Sequence, residues 1–136
     1  MHLDNIDLKL KLKIMYILTI VIAGGFGIMM LIAPSFVIAL LSQSAQDLYF
    51  YGFAAAVWTT FGLLAILGLR DPIKYMPILL FQFIYKLIWI FAVFLPNVVV
   101  DGARFDTIFS LLVFILFIVG DFLTLPFKDF FEKKPD

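Results

Sequence analysis

The chain has 136 residues, of which 64% are hydrophobic and 18% aromatic, and its formal net charge is +0. A soluble domain of this length has too little interior to bury so much apolar surface, so we predict one membrane domain covering 1–136. The balanced charge provides no basic surface for nucleic acid, which excludes that class of partner. The chain contains no cysteine and one histidine, His2, which argues against a metal site built on thiolates or histidines.

Four apolar stretches follow one another along the chain, and each is long enough to cross a hydrocarbon layer of ~30 Å as a helix. The predicted spans cover about 14–33, 48–69, 74–95 and 105–125. Pro34, Pro96 and Pro126 each follow the end of a span, where a missing N–H group does least harm. The pattern predicts an all-α fold, an integral membrane four-helix antiparallel bundle.

The segments that flank the spans carry most of the charge. Leu8 to Lys13 alternates apolar and basic residues, and since a strand would have no pairing partner there, we expect a helical lead-in at the headgroup surface. The segment 127–134 combines aromatic and basic residues, which is typical of an interfacial anchor.

Basic residues are distributed unevenly between the two ends of the predicted spans. Eight of the ten lysines and arginines flank one end, Arg104 flanks the other, and Lys86 lies inside a span. Basic flanks mark the cytoplasmic side, so both termini are expected there, in a bacterial-type inner membrane. The eight are Lys9, Lys11, Lys13, Arg70, Lys74, Lys128, Lys133 and Lys134.

Polar residues form one stripe on each of the last two spans at helical periodicity. Polar groups avoid lipid, so we expect the two stripes to face each other or a shared cavity. On the third span the stripe contains Tyr75, Gln82, Lys86, Trp89 and Val93. On the fourth it contains Asp106, Ser110, Asp121, Thr124 and Lys128, with Phe114 and Phe117 between them.

Lys86 is the most informative residue, because a charge at membrane depth costs about 2.5–3.5 kcal/mol on an insertion scale. Side chains lean toward the N-terminus of their own helix, so Lys86 and Asp121 on antiparallel helices converge. Whether the two groups contact each other directly, through water or through Gln82 stays open. The cluster could fix helix register or form a cavity for an anionic or carbonyl-bearing ligand. It could also carry a proton, or the lysine could extend to the membrane interface from a lipid-facing position.

The candidate site includes residues of the second span as well. Trp58 and Thr59 lie at nearly the depth of Lys86, although threonine hydroxyls usually bond to their own helix. Small residues, among them Ala23, Gly27 and Gly62, predict close helix packing within one bundle. The complete set of candidate ligand-binding or ion-pair residues is Lys86, Asp121, Gln82, Trp89, Thr59, Trp58 and Ser110.

Short motifs at the helix ends resemble a known group. Gly27 through Pro34 closes the first span, Tyr51-Gly52 opens the second, and Gly68-Leu69-Arg70-x-Pro72 precedes a polar third span. This combination resembles the broad DoxX-like group of small four-helix membrane proteins, though the group's usual Arg-containing N-terminal opening is missing. The resemblance implies the four-span architecture and a link to quinone-associated redox complexes or, in animals, to receptor-assembly chaperoning. It assigns no role to any single residue.

Three functions are compatible with these observations. The first is a non-catalytic bundle whose polar cluster binds a lipophilic ligand, such as a quinone or lipid, or a partner in a larger membrane complex. The second is a channel or proton-coupled transporter, which would need a homo-oligomer because four short helices rarely enclose a pathway. The third is an intramembrane lipid-modifying enzyme that uses a carboxylate as acid or base. The sequence contains no phosphate loop, catalytic triad or metal-ligand spacing, so we favour a non-enzymatic function.

Overall fold

A computed structural model describes residues 2–132, which form helices joined by short connections. Lys133 and Lys134 of the predicted interfacial anchor lie outside the described residues. Four helices are long and apolar enough to cross a membrane, namely Asn5–Ile32, Leu48–Arg70, Met76–Asp101 and Phe105–Thr124. We refer to them as the first to fourth helix. This confirms an all-helical fold with four candidate spans.

The first helix is one continuous rod with a wider turn in its middle. It consists of an α-helix over His2–Leu18, a π-helix over Thr19–Gly24 and an α-helix over Gly25–Ile32. The helical lead-in before residue 14 is therefore confirmed, and the Lys11 ammonium group pairs with the Asp7 carboxylate at 2.6 Å.

The connection between the first two helices is partly folded. Pro34 begins a short helix, Pro34–Leu40, whose Val37 is fully buried. Asp47 then caps the second helix, because its carboxylate accepts hydrogen bonds from the backbone N–H groups of Tyr49 and Phe50. The connection between the first two predicted spans thus contains an apolar helix that packs against the bundle.

The third helix extends beyond its predicted end. It runs as an α-helix over Met76–Trp89, a π-helix over Ile90–Phe94 and an α-helix over Leu95–Asp101, so the prediction that Pro96 ends it was wrong. The π-helical turn places Pro96 in the first turn of a new α-helical segment, where a proline is tolerated. Asn97 also donates a side-chain hydrogen bond to the Val93 carbonyl oxygen at 2.7 Å.

The fourth helix begins and ends close to its predicted bounds. Thr107 caps its start by accepting a hydrogen bond from the Arg104 backbone N–H at 3.1 Å. The chain leaves the helix at Leu125 and forms a short helix, Phe127–Phe131, after Pro126.

Packing is closest between the first two helices. A methyl group added to Gly27 would come within 2.5 Å of the Thr59 backbone nitrogen, and one added to Gly62 within 2.6 Å of the Gly24 Cα. The third and fourth helices pack against each other and the first helix contacts the fourth, whereas the third helix meets the first and the second only sparsely. The predicted close packing at these glycines is confirmed. The sparse contacts of the third helix leave an open side between it and the second helix.

Tightly packed side chains close one end of the bundle, next to the connection that contains Pro72. The Tyr16 hydroxyl donates to the Pro72 carbonyl oxygen at 2.8 Å and so fixes the first helix to this connection. We call these side chains the sealed layer, because each is at most 5% exposed. They are Leu12, Met15, Tyr16, Ala65, Leu79, Phe117 and Leu125.

Candidate functional site

Gln82 and Asp121 form the centre of a buried polar cluster between the third, fourth and first helices. Both side chains are 0% exposed, and the Gln82 amide donates to an Asp121 carboxylate oxygen at 3.3 Å. Thr19 approaches from the π-helical turn of the first helix. Its hydroxyl donates to the Met15 carbonyl oxygen at 2.8 Å and lies 3.4 Å from the Gln82 carbonyl oxygen. We call Thr19, Gln82, Lys86 and Asp121 the polar cluster.

Lys86 lies one turn beyond Gln82, is 2% exposed and points among aromatic rings. Its nitrogen is 4.4 Å from the ring centre of Phe117, 4.6 Å from that of Tyr85 and 5.5 Å from that of Phe114. A cation at these distances is attracted to the faces of the rings by about 0.5–2 kcal/mol each. The three rings form an aromatic cage that holds the lysine inside the bundle, so it is not a lipid-facing residue reaching for the interface.

The lysine and the aspartate are neighbours without a direct bond. The ion pairs found among residues 5–132 are Lys11–Asp7 and Arg104–Asp106, and neither involves Lys86 or Asp121. The Lys86 nitrogen and the Asp121 Oδ1 atom are buried and have no hydrogen-bond partner in the described part of the chain. Gln82 bonds to Asp121 but not to Lys86, so the structure shows neither a direct bond between the lysine and the aspartate nor one through Gln82, and a bridge through water stays a prediction.

A cavity of about 20 Å³ lies beside Lys86, and we call it the Lys86 cavity. A water molecule needs roughly 10–15 Å³, so the cavity has room for one water but not for a ring or a headgroup. Ala23, Trp58, Val113 and Ile22 complete its lining together with the cage residues. The polar cluster is therefore closed to a ligand of the size of a quinone in this conformation.

The two tryptophans of the candidate set reach the cluster through one phenylalanine. Trp58 packs edge-on against Phe114 with ring centres 6.2 Å apart, and Trp89 does so at 4.9 Å. Trp58 also lines the Lys86 cavity directly, whereas Trp89 faces a surface pocket that contains Arg104. Trp58 therefore belongs to the site, whereas Trp89 packs against Phe114 on the outer side of the aromatic cage.

Ser110 lines a second internal space, which we call the Tyr51 cavity. This cavity has a volume of about 50 Å³ and is covered by Val37 and Gln43 of the first connection. The Ser110 hydroxyl donates to the Asp106 carbonyl oxygen at 2.8 Å, so it is bonded within its own helix. Ser110 is thus near the cluster without contacting it.

Thr59 does not join the site. Its hydroxyl donates to the Ala55 carbonyl oxygen at 2.8 Å, and its side chain packs against Gly27. Sequence reasoning also missed Thr19, although a hydroxyl in an otherwise apolar stretch of the first span was visible. Tyr85 was missed as well, because it lies beside the polar stripe and resembles the surrounding aromatic residues.

A larger groove opens sideways between the second and third helices. This lateral groove has a volume of about 520 Å³, within the range of pockets that bind small molecules. Phe61 and Phe81 form its inner wall, and both rings contact Tyr85 of the aromatic cage at 5.5 and 6.2 Å between centres. Two successive sets of rings, the wall rings and then Tyr85, therefore separate the groove from Lys86. Its lining consists of Phe53, Ala56, Val57, Thr60, Phe61, Leu64, Pro77, Ile78 and Phe81.

The site offers a shielded amine, a shielded carboxyl group and an adjoining apolar groove. Residues 5–132 contain no group of three or more His, Cys, Asp or Glu side chains that could hold a metal ion. No protein-family model, curated protein or solved structure matches this chain.

Proposed function

We propose that this protein binds a lipophilic molecule of the membrane, and that the lateral groove holds the hydrocarbon tail of that molecule. The observation that carries the proposal is the groove itself, an opening of about 520 Å³ between two helices that could span the membrane. An acyl or isoprenoid chain has the shape and the chemistry to fill it. The binding is non-catalytic, because aromatic rings separate the groove from Lys86 and Asp121.

The chemistry of the lining favours a tail over a headgroup. Apart from Thr60, every residue that lines the lateral groove has a hydrocarbon side chain or ring. The Thr60 hydroxyl donates to the Ala56 carbonyl oxygen at 2.8 Å, which leaves no free donor for a quinone carbonyl or a phosphate. A quinone or lipid headgroup would lie outside the groove, toward the membrane interface.

Filling the groove is expected to abolish ligand binding. Ala56 is exposed in the lateral groove, and an Ala56→Trp side chain would occupy the space of the bound tail. The measurement is photocrosslinking of a phospholipid with a diazirine in its acyl chain to protein in nanodiscs, read out by mass spectrometry of the crosslinked peptides. The unaltered protein should crosslink at residues 53–64 and 77–81, and Ala56→Trp should lose most of this signal.

Val119→Trp is the matched control, because Val119 is 51% exposed on the fourth helix, away from the groove. It adds the same ring to the lipid-facing surface and should leave crosslinking in the groove unchanged. Crosslinks spread evenly over all four helices, or equal loss in both variants, would reject the groove as a binding site.

The proposal includes a membrane topology. The four helices would form an antiparallel bundle in a bacterial-type inner membrane with both termini in the cytoplasm. It is supported by the eight basic residues that flank one end of the spans, against Arg104 at the other. The DoxX-like resemblance is compatible with this arrangement and with a quinone as the lipophilic molecule.

Labelling of introduced cysteines tests the topology cleanly, because the native chain contains none. Gln46→Cys, in the first connection, should react with a membrane-impermeant maleimide added to spheroplasts. Asp129→Cys, in the last short helix, should react only after the membrane is permeabilised. Labelling of both positions from the same side would contradict the proposed orientation.

A further inference from the structure

Four buried side-chain atoms lack a hydrogen-bond partner in the described part of the chain: Gln43 Oε1, Tyr51 Oη, Lys86 Nζ and Asp121 Oδ1. An unpaired buried polar atom costs about 1–3 kcal/mol, so four of them in a small bundle require an explanation. Buried water is the usual partner for such atoms. Gln43 and Tyr51 line the Tyr51 cavity, and Lys86 lines the Lys86 cavity, so three of the four atoms belong to residues that line space for water.

The two cavities are neighbours inside the bundle. Their linings share Ile22, Trp58, Val113 and Phe114, which form the partition between them. Volumes of about 50 and 20 Å³ both exceed the roughly 10–15 Å³ that one water molecule needs. One layer of side chains therefore separates water in the Tyr51 cavity from the Lys86 cavity.

The opposite side of the polar cluster is packed. Leu12, Tyr16 and Leu79 of the sealed layer are 0% exposed, and Tyr16 is bonded to the connection that contains Pro72. Leu125 completes this side at 5% exposure. Apolar side chains also pack closely under the first connection, among them Met30, Val37 and Leu41. The unpaired atoms of Gln43 and Tyr51 lie at that end, whereas no residue of the sealed layer has an unpaired polar atom in the described part of the chain.

We propose that an internal file of water molecules links Lys86 and Asp121 to the aqueous side that carries residues 35–47, and that the two groups exchange protons with that side alone. The proposal does not depend on binding in the lateral groove. The other titratable groups near the file are the phenols of Tyr51 on the second helix, Tyr85 on the third and Tyr16 on the first. Tyr16, in the sealed layer, donates to the Pro72 carbonyl oxygen, and Tyr51 borders the file directly.

Water access to Lys86 is measurable in the full chain by solid-state NMR in phosphatidylcholine bilayers. Isotope-labelled lysine reports the transfer of magnetisation from water protons to each side-chain nitrogen, and the Lys86 signal is the one that Lys86→Met removes. We expect transfer to Lys86 in the unaltered protein. Ser110→Phe, which fills the Tyr51 cavity, should slow the transfer severalfold without changing the signals of Lys9, Lys11 and Lys13.

Two further variants make the result decisive. Val113→Phe fills the partition between the cavities and should act like Ser110→Phe, so it decides the question if Ser110→Phe does not fold. Val119→Phe adds the same ring on the lipid-facing surface of the fourth helix and should leave the transfer unchanged. Absence of transfer in the unaltered protein would overturn the water file. Transfer that persists when the cavity is filled would overturn the one-sided access.

Discussion

The Asp121→Leu variant is expected to lose about 3–5 kcal/mol of unfolding free energy, the typical cost of removing one partner from a buried polar pair. Asp121 is 0% exposed, accepts the hydrogen bond of Gln82 and belongs to the same buried polar cluster as Lys86. Leucine would leave the lysine without an opposite charge and the amide without an acceptor. The measurement is reversible unfolding in detergent micelles, followed by circular dichroism or tryptophan fluorescence.

A second substitution separates this cause from loss of packing. In the double variant Lys86→Met/Asp121→Leu no uncompensated charge is left, so most of the lost stability should return. Asp129→Leu, an exposed position outside the spans, is the matched control and should change stability little. A double variant as unstable as Asp121→Leu would show that the pair is not what makes the aspartate important.

The second large effect is expected at Gly27, where the first helix crosses the second. A methyl group there would meet the Thr59 backbone nitrogen at 2.5 Å and the Ala55 carbonyl oxygen at 2.9 Å. Backbone atoms cannot move aside as a flexible side chain can, so Gly27→Ala should force the helices apart. Overpacking of this kind costs about 1–3 kcal/mol, and the same unfolding assay measures it.

Gly25 provides the control within the same helix, because a methyl group added there meets nothing within 4 Å. Gly25→Ala should be neutral or stabilise the protein by up to about 1 kcal/mol, since alanine favours helix over glycine. Equal effects of the two substitutions would mean that helix propensity, and not the close approach to Thr59, decides the outcome.

The helical architecture was predictable from the sequence because hydrophobicity determines it almost alone. The fourth helix, Phe105–Thr124, lies within one residue of the predicted 105–125. The third was predicted too short because Pro96 normally ends a helix, and a single sequence gives no sign that a π-helical turn will accommodate it. The helix in the first connection was missed because Pro34–Leu40 is too short for periodicity to stand out.

The polar cluster was predictable in part. Placing Gln82, Lys86 and Asp121 on facing stripes required only helical periodicity and the avoidance of lipid by polar groups. The aromatic cage could not be derived, because phenylalanine serves as both lipid-facing surface and interior. Phe117 is 1% exposed, whereas Phe122, five residues later, is 62% exposed. Thr19 joins the cluster from a π-helical turn, and the ordinary α-helical period does not describe such a turn.

The sealed layer has an electrical consequence. A membrane potential falls mainly across the region of low dielectric constant, and close-packed Leu12, Leu79 and Leu125 provide such a region on one side of Lys86 and Asp121. If the cavities on the other side hold water, most of the voltage drop would be concentrated in this layer. A proton that reaches Asp121 from the side of residues 35–47 would then cross little of the potential, whereas passage through the sealed layer would involve nearly the full ~2.3 kcal/mol per 100 mV. The charge state of the buried pair would then follow the pH on the side that carries residues 35–47 and would be insensitive to the membrane potential.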